Sequence, residues 1–165
     1  MTNELVLSTL QGHFGAAAFT DVDEPYGLLS VTIERGQLID VLRFLKEGDL
    51  GFTFLTTMCG VHYPQQLNRE LGLVYHLHNL RTNVRLRVKT FFPILDPVVP
   101  TLTTLWATAN WMEREAFDFY GILFSGHPNL IRILNVEDMT YHPMRREYPL
   151  EDQTREDKTD SFFGR

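Results

Sequence analysis

Cysteine is nearly missing from this chain: Cys59 is the single thiol in 165 residues. One thiol makes no internal disulfide and holds no iron–sulfur cluster by itself, and such sparse usage fits a reducing compartment. Glycines never fall in the spacing Gly-x-Gly-x-x-Gly, no loop ends in Gly-Lys-Ser/Thr, and no serine stands in a Gly-x-Ser-x-Gly elbow. The recognised routes to a dinucleotide, a nucleoside triphosphate or an acyl-transfer serine are therefore absent. A helical His-Glu-x-x-His pair, the usual nucleus of a catalytic zinc site, is absent too.

Long apolar runs are lacking. The longest, such as Leu73 to Tyr75 or Phe91 to Leu95, fall far short of a membrane span. The opening MTNELVLSTL carries Glu4 and no basic residue, and Gly15 to Phe19 is too short for a signal core, so no secretion signal is expected. Positive charge is in deficit, 15 Lys and Arg against 21 Asp and Glu, a net charge of −6 that does not favour a nucleic-acid backbone. A soluble, cytoplasmic protein is expected, one still able to sit on a membrane assembly.

What is present is ordinary globular material, 44% hydrophobic and 22% charged, enough for one domain with a real core. Ala16–Asp21 and Leu28–Ile33 read as strands around the turn-forming DVDEPYG. Leu38, Val41, Leu42 and Leu45 fall at helical spacing between Gln37 and Glu47, with Gly48 as the stop. Phe52–Met58 reads as a strand. Leu73, Tyr75 and Leu77 alternate with His76 and His78, and Val84, Leu86 and Val88 with Arg85, Arg87 and Lys89, predicting a hairpin about Arg81-Thr82-Asn83. Its outer face would be a positive stripe, either a solvated sheet face or a surface that meets an acidic partner. Pro93, Pro97 and Pro100 precede a helix expected to open at Thr101, with an apolar stripe of Leu102, Leu105, Ala109, Met112, Ala116 and Tyr120 ending at Gly121. Periodicity fades beyond Leu134, and the polar Glu151–Arg165 has too few apolar residues to fold alone, so it is expected to be mobile or taken up by a partner. The order of elements predicts an α+β fold with a mostly antiparallel sheet.

The segment Asn110–Leu150 concentrates the chemistry. Glu113, Glu115 and Asp118 around Arg114 could be a carboxylate cluster for acid/base or metal work, or a set of salt bridges and helix-end bonds, and spacing favours the second. His127 and His142 each precede a proline, Pro128 and Pro143, which fixes an extended backbone suited to turning the chain. Arg145-Arg146-Glu147-Tyr148-Pro149-Leu150 combines two guanidinium forks with a carboxylate and rings, either an interface anchor or a charged loop.

Taken as a series, Glu113-Arg114-Glu115, Asp118, Tyr120-Gly121-Ile122, Phe124, Gly126-His127-Pro128, Leu130, Arg132-Ile133-Leu134, His142-Pro143 and Arg145 to Leu150 resemble the 30 kDa subunit family of respiratory complex I. Pro100-Thr101 to Trp106 and Asn110-Trp111 extend the likeness upstream, to about a third of the chain in all. In the family two arginines often precede Ile-Leu, where Ile131 and Arg132 stand here. A tryptophan and glycine usually precede the second His-Pro, where Met139, Thr140 and Tyr141 stand, and Arg-Lys-Asp-Tyr-Pro is Arg-Arg-Glu-Tyr-Pro.

The resemblance implies a small two-layer α+β domain, residues 1–134, with a mixed sheet and packed helices. An extended C-terminal arm, residues 135–165, would follow and dock on partners. It implies a non-catalytic subunit of the peripheral arm of NADH:quinone oxidoreductase, without cofactor or metal of its own, FMN and the Fe-S clusters lying in partner subunits. Its neighbours would be the large quinone-site subunit, known as D in the bacterial enzymes, and the cluster-bearing B and I subunits. Its place would be peripheral, on the cytoplasmic face of the bacterial inner membrane. Glu113, Arg114, Glu115, Asp118, Gly121, His127, Pro128, Arg132, His142, Pro143, Arg145, Arg146, Tyr148 and Pro149 would carry family shape and interface rather than catalysis. Related subunits serve membrane-bound hydrogenases, archaeal deazaflavin-linked dehydrogenases and a ferredoxin-linked photosynthetic complex. A free-standing metal-dependent hydrolase using Glu115, Asp118, His127 and His142 is the remaining alternative.

Overall fold

The computed structural model describes residues 1–148. Pro149, Leu150 and the polar segment 151–165 lie outside the described residues.

Helix α1, Asn3–Phe14, opens on Thr2, whose hydroxyl accepts the Leu5 N–H, and ends where Gly15 (φ 84) donates back to the Gln11 carbonyl. Strands β1 (Phe19–Asp23) and β2 (Leu29–Ile33) form an antiparallel pair. Helix α2, Leu38–Glu47, buries the stripe Leu38, Val41, Leu42 and Leu45 and closes at Gly48. Strands β3 (Phe54–His62), β4 (Leu71–Asn79) and β5 (Val84–Phe92) make an antiparallel meander. After β6 (Val98–Pro100) come helix α3 (Ala109–Tyr120) and β7 (Leu123–Ser125), which pairs parallel to β6.

The main sheet has the order β1-β2-β5-β4-β3 and one parallel contact, β2 against β5. It is the mixed, mostly antiparallel α+β sheet that the pattern implied. Alternation gives it one apolar face: Leu29, Val31, Ile33, Leu73, Tyr75, Leu77, Leu86 and Val88 join Val6, Leu10 and the α2 stripe in a single core. Each of the aliphatic side chains among them contributes roughly 1.5–3 kcal/mol by leaving water. The hairpin turn lies where expected, with Asn79 Oδ1 accepting the N–H groups of Arg81 and Thr82 and Asn83 at φ 56.

Three boundaries differ from expectation. Ala16–Ala18 is a single helical turn, so β1 starts at Phe19. The strand expected over Phe52–Met58 runs Phe54–His62; Phe52 is buried in the preceding loop, Phe54 is exposed, and a bulge between Leu55 and Thr57 turns both Leu55 and Met58 inward. The helix expected from Thr101 opens at Ala109. Leu102 and Leu105 are buried as their spacing demands, but in a turn where the Leu105 and Trp106 N–H groups both reach the Leu102 carbonyl. No helix among the described residues is long and apolar enough to cross a membrane.

Candidate functional site

An α-helix leaves its last four carbonyls without intrahelical partners. At the end of α3 other residues supply them. The Asp118 carbonyl accepts Arg132 Nη1 and His142 Nδ1, each at 3.0 Å. The Phe119 carbonyl accepts the Met144 N–H at 3.2 Å, and the Tyr120 carbonyl accepts Arg145 Nε at 2.7 Å. Gly121, left-handed at φ 74, donates to Phe117 and turns the chain away. A side chain there would strike Arg145 Nη2 and the His142 ring at 2.6 Å, so the glycine makes room for the segment that caps its own helix.

The Asp118 side chain is fully buried and holds the next loop. Its Oδ2 accepts the N–H groups of Ile133, Leu134 and Asn135 at 2.8–3.1 Å, and its Oδ1 accepts Arg132 Nη1 at 2.6 Å and Asn135 Nδ2 at 3.0 Å. Burial alone would raise this carboxyl. The Asn135 backbone and side chain, Leu134 and Arg132 outweigh it and hold Asp118 well below the usual carboxylate range. Arg132 in turn donates to the carbonyls of Met139 and Tyr141, so one ion pair joins α3 to two stretches of the C-terminal segment. Arg114 donates to the carbonyls of Ile131 and Arg132 and lies 5.2 Å from the Trp111 ring centre.

Glu113 is buried on the opposite side of the helix. Its carboxylate accepts the Thr101 hydroxyl at 2.5 Å and the Leu102 N–H at 2.6 Å, which halts the chain before α3 and accounts for the late helix start. Burial pushes its pKa up to about 7, against the pull of those two bonds. The His127 side chain, also buried, accepts the Asn129 N–H at Nδ1, so its Nε2 carries the proton toward the Asn110 carbonyl at 3.2 Å, with Glu113 4.0 Å away.

Glu115 is exposed and stands apart from this network. It lies near Cys59, whose thiol burial raises, aided by the Glu115 charge. Burial lowers the His142 pKa, with a smaller opposing contribution from the Asp118 carbonyl. Arg146 donates its N–H to His62 Nδ1 at 3.0 Å, and Glu147 sits 3.6 Å from the same nitrogen. Tyr148 packs on Tyr141 with ring centres 4.9 Å apart. Pro128 is exposed and Pro143 half-buried.

The structure thus gathers Arg114, Asp118, Gly121, Arg132, His142 and Arg145 around one helix end and separates Glu113 with His127 from them. Among the described residues no three His, Cys, Asp or Glu side chains are placed to hold a metal ion. Two contributors carry no sequence motif: His62, the anchor of Arg146, and Gly60, where a side chain would meet the Tyr120 ring at 2.4 Å. The burial of Glu113 does leave a signal, since it falls in the helical series Ala109, Glu113, Ala116, Tyr120 rather than on the exposed face with Glu115.

Residues 31–154 match the family profile of the respiratory-chain NADH dehydrogenase 30 kDa subunit. The NADH-quinone oxidoreductase C subunit of Geobacter sulfurreducens is 38% identical over 86% of both chains. That of Geobacter metallireducens is 36% identical over 94% of both. Among solved structures, the trypsin-resistant fragment of Nqo5 superposes with a TM-score of 0.68 at 32% identity, covering 79% of this chain and all of that one. A chain of the archaeal membrane-bound sulfane sulfur reductase reaches a TM-score of 0.75 at 24% identity, over 89% of this chain and 85% of that one, a likeness of fold. The signature that clasps α3, the sheet order and these relatives agree: the chain belongs to the 30 kDa subunit family of respiratory NADH-quinone oxidoreductase.

Proposed function

We propose that this chain is a structural subunit of the peripheral arm of NADH:quinone oxidoreductase, without catalytic residues of its own. One observation carries the reading: Asp118, Arg132, Arg114 and Arg145 direct their polar atoms at this chain's own backbone, fixing a shape. Groups engaged in this way are poorly placed to move protons for a substrate. Electrons would pass from NADH through FMN and Fe-S clusters in partner subunits to the quinone, coupled to proton translocation, while this chain holds its neighbours in register.

In this reading residues 1–134 form the domain and residues 135–165 the arm. The arm begins on α3, through His142, Met144 and Arg145, and continues onto the quinone-site subunit, with the cluster-bearing B and I subunits adjacent. The assembly would sit peripherally on the cytoplasmic face of the inner membrane. The sulfane sulfur reductase chain has the same fold, so the identity of the parent machine rests on the NADH-quinone oxidoreductase relatives, not on architecture.

The test is affinity isolation from membranes with mass spectrometry, paired with deletion of the gene. The flavin- and cluster-bearing subunits should be recovered with the chain, and deletion should abolish NADH:quinone activity. Glu115→Gln and His127→Ala complexes should turn over at the wild-type rate per assembled complex. Loss of turnover with assembly intact would mean a catalytic role and overturn the reading.

A further inference from the structure

The core occupies one face of the main sheet, and residues of all three helices contribute to it. The other face carries a polar row that crosses every strand. Asp23 pairs with Ser30, Ser30 with Arg87, Arg87 with His76, and His76 with Thr57. Arg85 and Lys89 flank Arg87 along β5, on a chain whose net charge is −6.

Three features set this face apart. Arg85 and Arg87 have no carboxylate partner among the described residues. Ser30 Oγ, Thr32 Oγ1 and His76 Nδ1 are buried without hydrogen-bond partners. Arg87 Nε donates to His76 Nε2 at 2.9 Å, so the imidazole proton sits on Nδ1, an unpaired buried donor. At the end of the face, Tyr26 stands fully exposed in a left-handed turn (φ 56), beside a cleft of about 510 Å³ that Arg85 also lines. Holding a tyrosine at positive φ costs on the order of 1 kcal/mol, and a strained, outward aromatic next to an arginine has the composition of a binding hot spot.

We infer that the helix-free face of the sheet, centred on Tyr26, Arg85 and Arg87, is a docking surface for an adjoining polypeptide that presents carboxylates. The inference deepens the proposed subunit role and rests on it. The partner's carboxylates would pair with the guanidinium groups of Arg85 and Arg87, which meet no carboxylate among the described residues. Tyr26 would fill an apolar recess at the rim.

Two variants test it in complex purified from membranes. Arg85→Glu combined with Arg87→Glu, and separately Tyr26→Gly, should each lower retention of the chain in a moderate-salt wash at least tenfold. Glycine takes positive φ freely, so Tyr26→Gly should leave the isolated chain's melting temperature unchanged or raised, a result no purely structural role produces. Wild-type retention of Tyr26→Gly overturns the proposal. So does release by nuclease in place of charge reversal, which would make the partner a nucleic acid. Zero-length carbodiimide cross-linking in whole membranes reads the face directly. Lys89 joined to a carboxylate of a second polypeptide supports docking, and Lys89 joined only to Asp23 of its own chain, 3.8 Å away, overturns it. Failure to recover oxidoreductase subunits with the chain would count against the subunit role alone, because the cross-link still reports what covers the face.

Discussion

Asp118 and Arg132 meet at 2.6 Å with the carboxylate fully buried, and the same carboxylate takes three consecutive backbone N–H groups from the loop that follows Arg132. Removing one member of such a pair strands the other in a dry site. Asp118→Asn keeps the shape but turns an amide toward donors. It should destabilise the chain by roughly 3 kcal/mol and lower the melting temperature by about 6–12 °C, read by calorimetry. Because Asp118 titrates below an ordinary aspartate, its contribution is complete above the normal aspartate range and is lost as pH falls toward its own lower pKa. The variant should therefore show a shallower acid limb than the wild-type stability curve.

Glu113 has the opposite sign. Its folded pKa of about 7 lies above the ordinary 4.5, so the folded state holds a proton that the unfolded state has already released. Stability from this group is complete below about pH 4.5 and declines as pH rises toward 7, by about 3 kcal/mol in all. Glu113→Gln, which cannot ionise but keeps an oxygen to accept the Leu102 N–H and an amide group beside the Thr101 hydroxyl, should flatten that decline. Urea titrations between pH 4.5 and 8 measure it, and an unchanged slope in the variant would assign the effect elsewhere.

Gly121→Ala introduces a Cβ 2.6 Å from Arg145 and His142 at a backbone φ of 74. The expected result is a loss of roughly 1–3 kcal/mol and detachment of the capping segment. Trypsin should then cut after Arg145 and Arg146 much faster than in the wild type, with α3 itself intact by circular dichroism.

Much of this architecture is legible in the sequence where a period is clean. The α2 stripe and the β4–β5 alternation translate directly into buried faces, because each face meets the core along its whole length. Helix α1 leaves no such trace: only Val6 and Leu10 are buried, while Leu5 points to solvent, so no stripe forms. The start of α3 is displaced from its expected position because Leu102 and Leu105 satisfy the helical spacing from within a turn. That turn is held by Glu113, more than two helical turns downstream of the expected start. The clasp is recognisable in the sequence as a set of residues but not as a geometry. Its bonds run between side chains and backbone groups 7 to 84 positions apart, from Arg132 with Met139 to Arg146 with His62, and backbone partners leave no trace in residue type.

The single parallel contact of the sheet, Val31 alongside Val88, divides the chain by speed of formation. β1 with β2 and β3 with β4 and β5 are hairpins that close short loops, whereas β2 against β5 must bring together segments separated by α2 and two strands. Loop-closure entropy places such a contact late in folding. Val31→Ala should accordingly accelerate unfolding with little effect on the folding rate, a φ-value below about 0.3 by stopped-flow, whereas Leu77→Ala in the meander should slow folding. In a nascent chain the two sheet halves would exist before they join, and the seam between them is where assembly-competent structure would be last to appear and first to open.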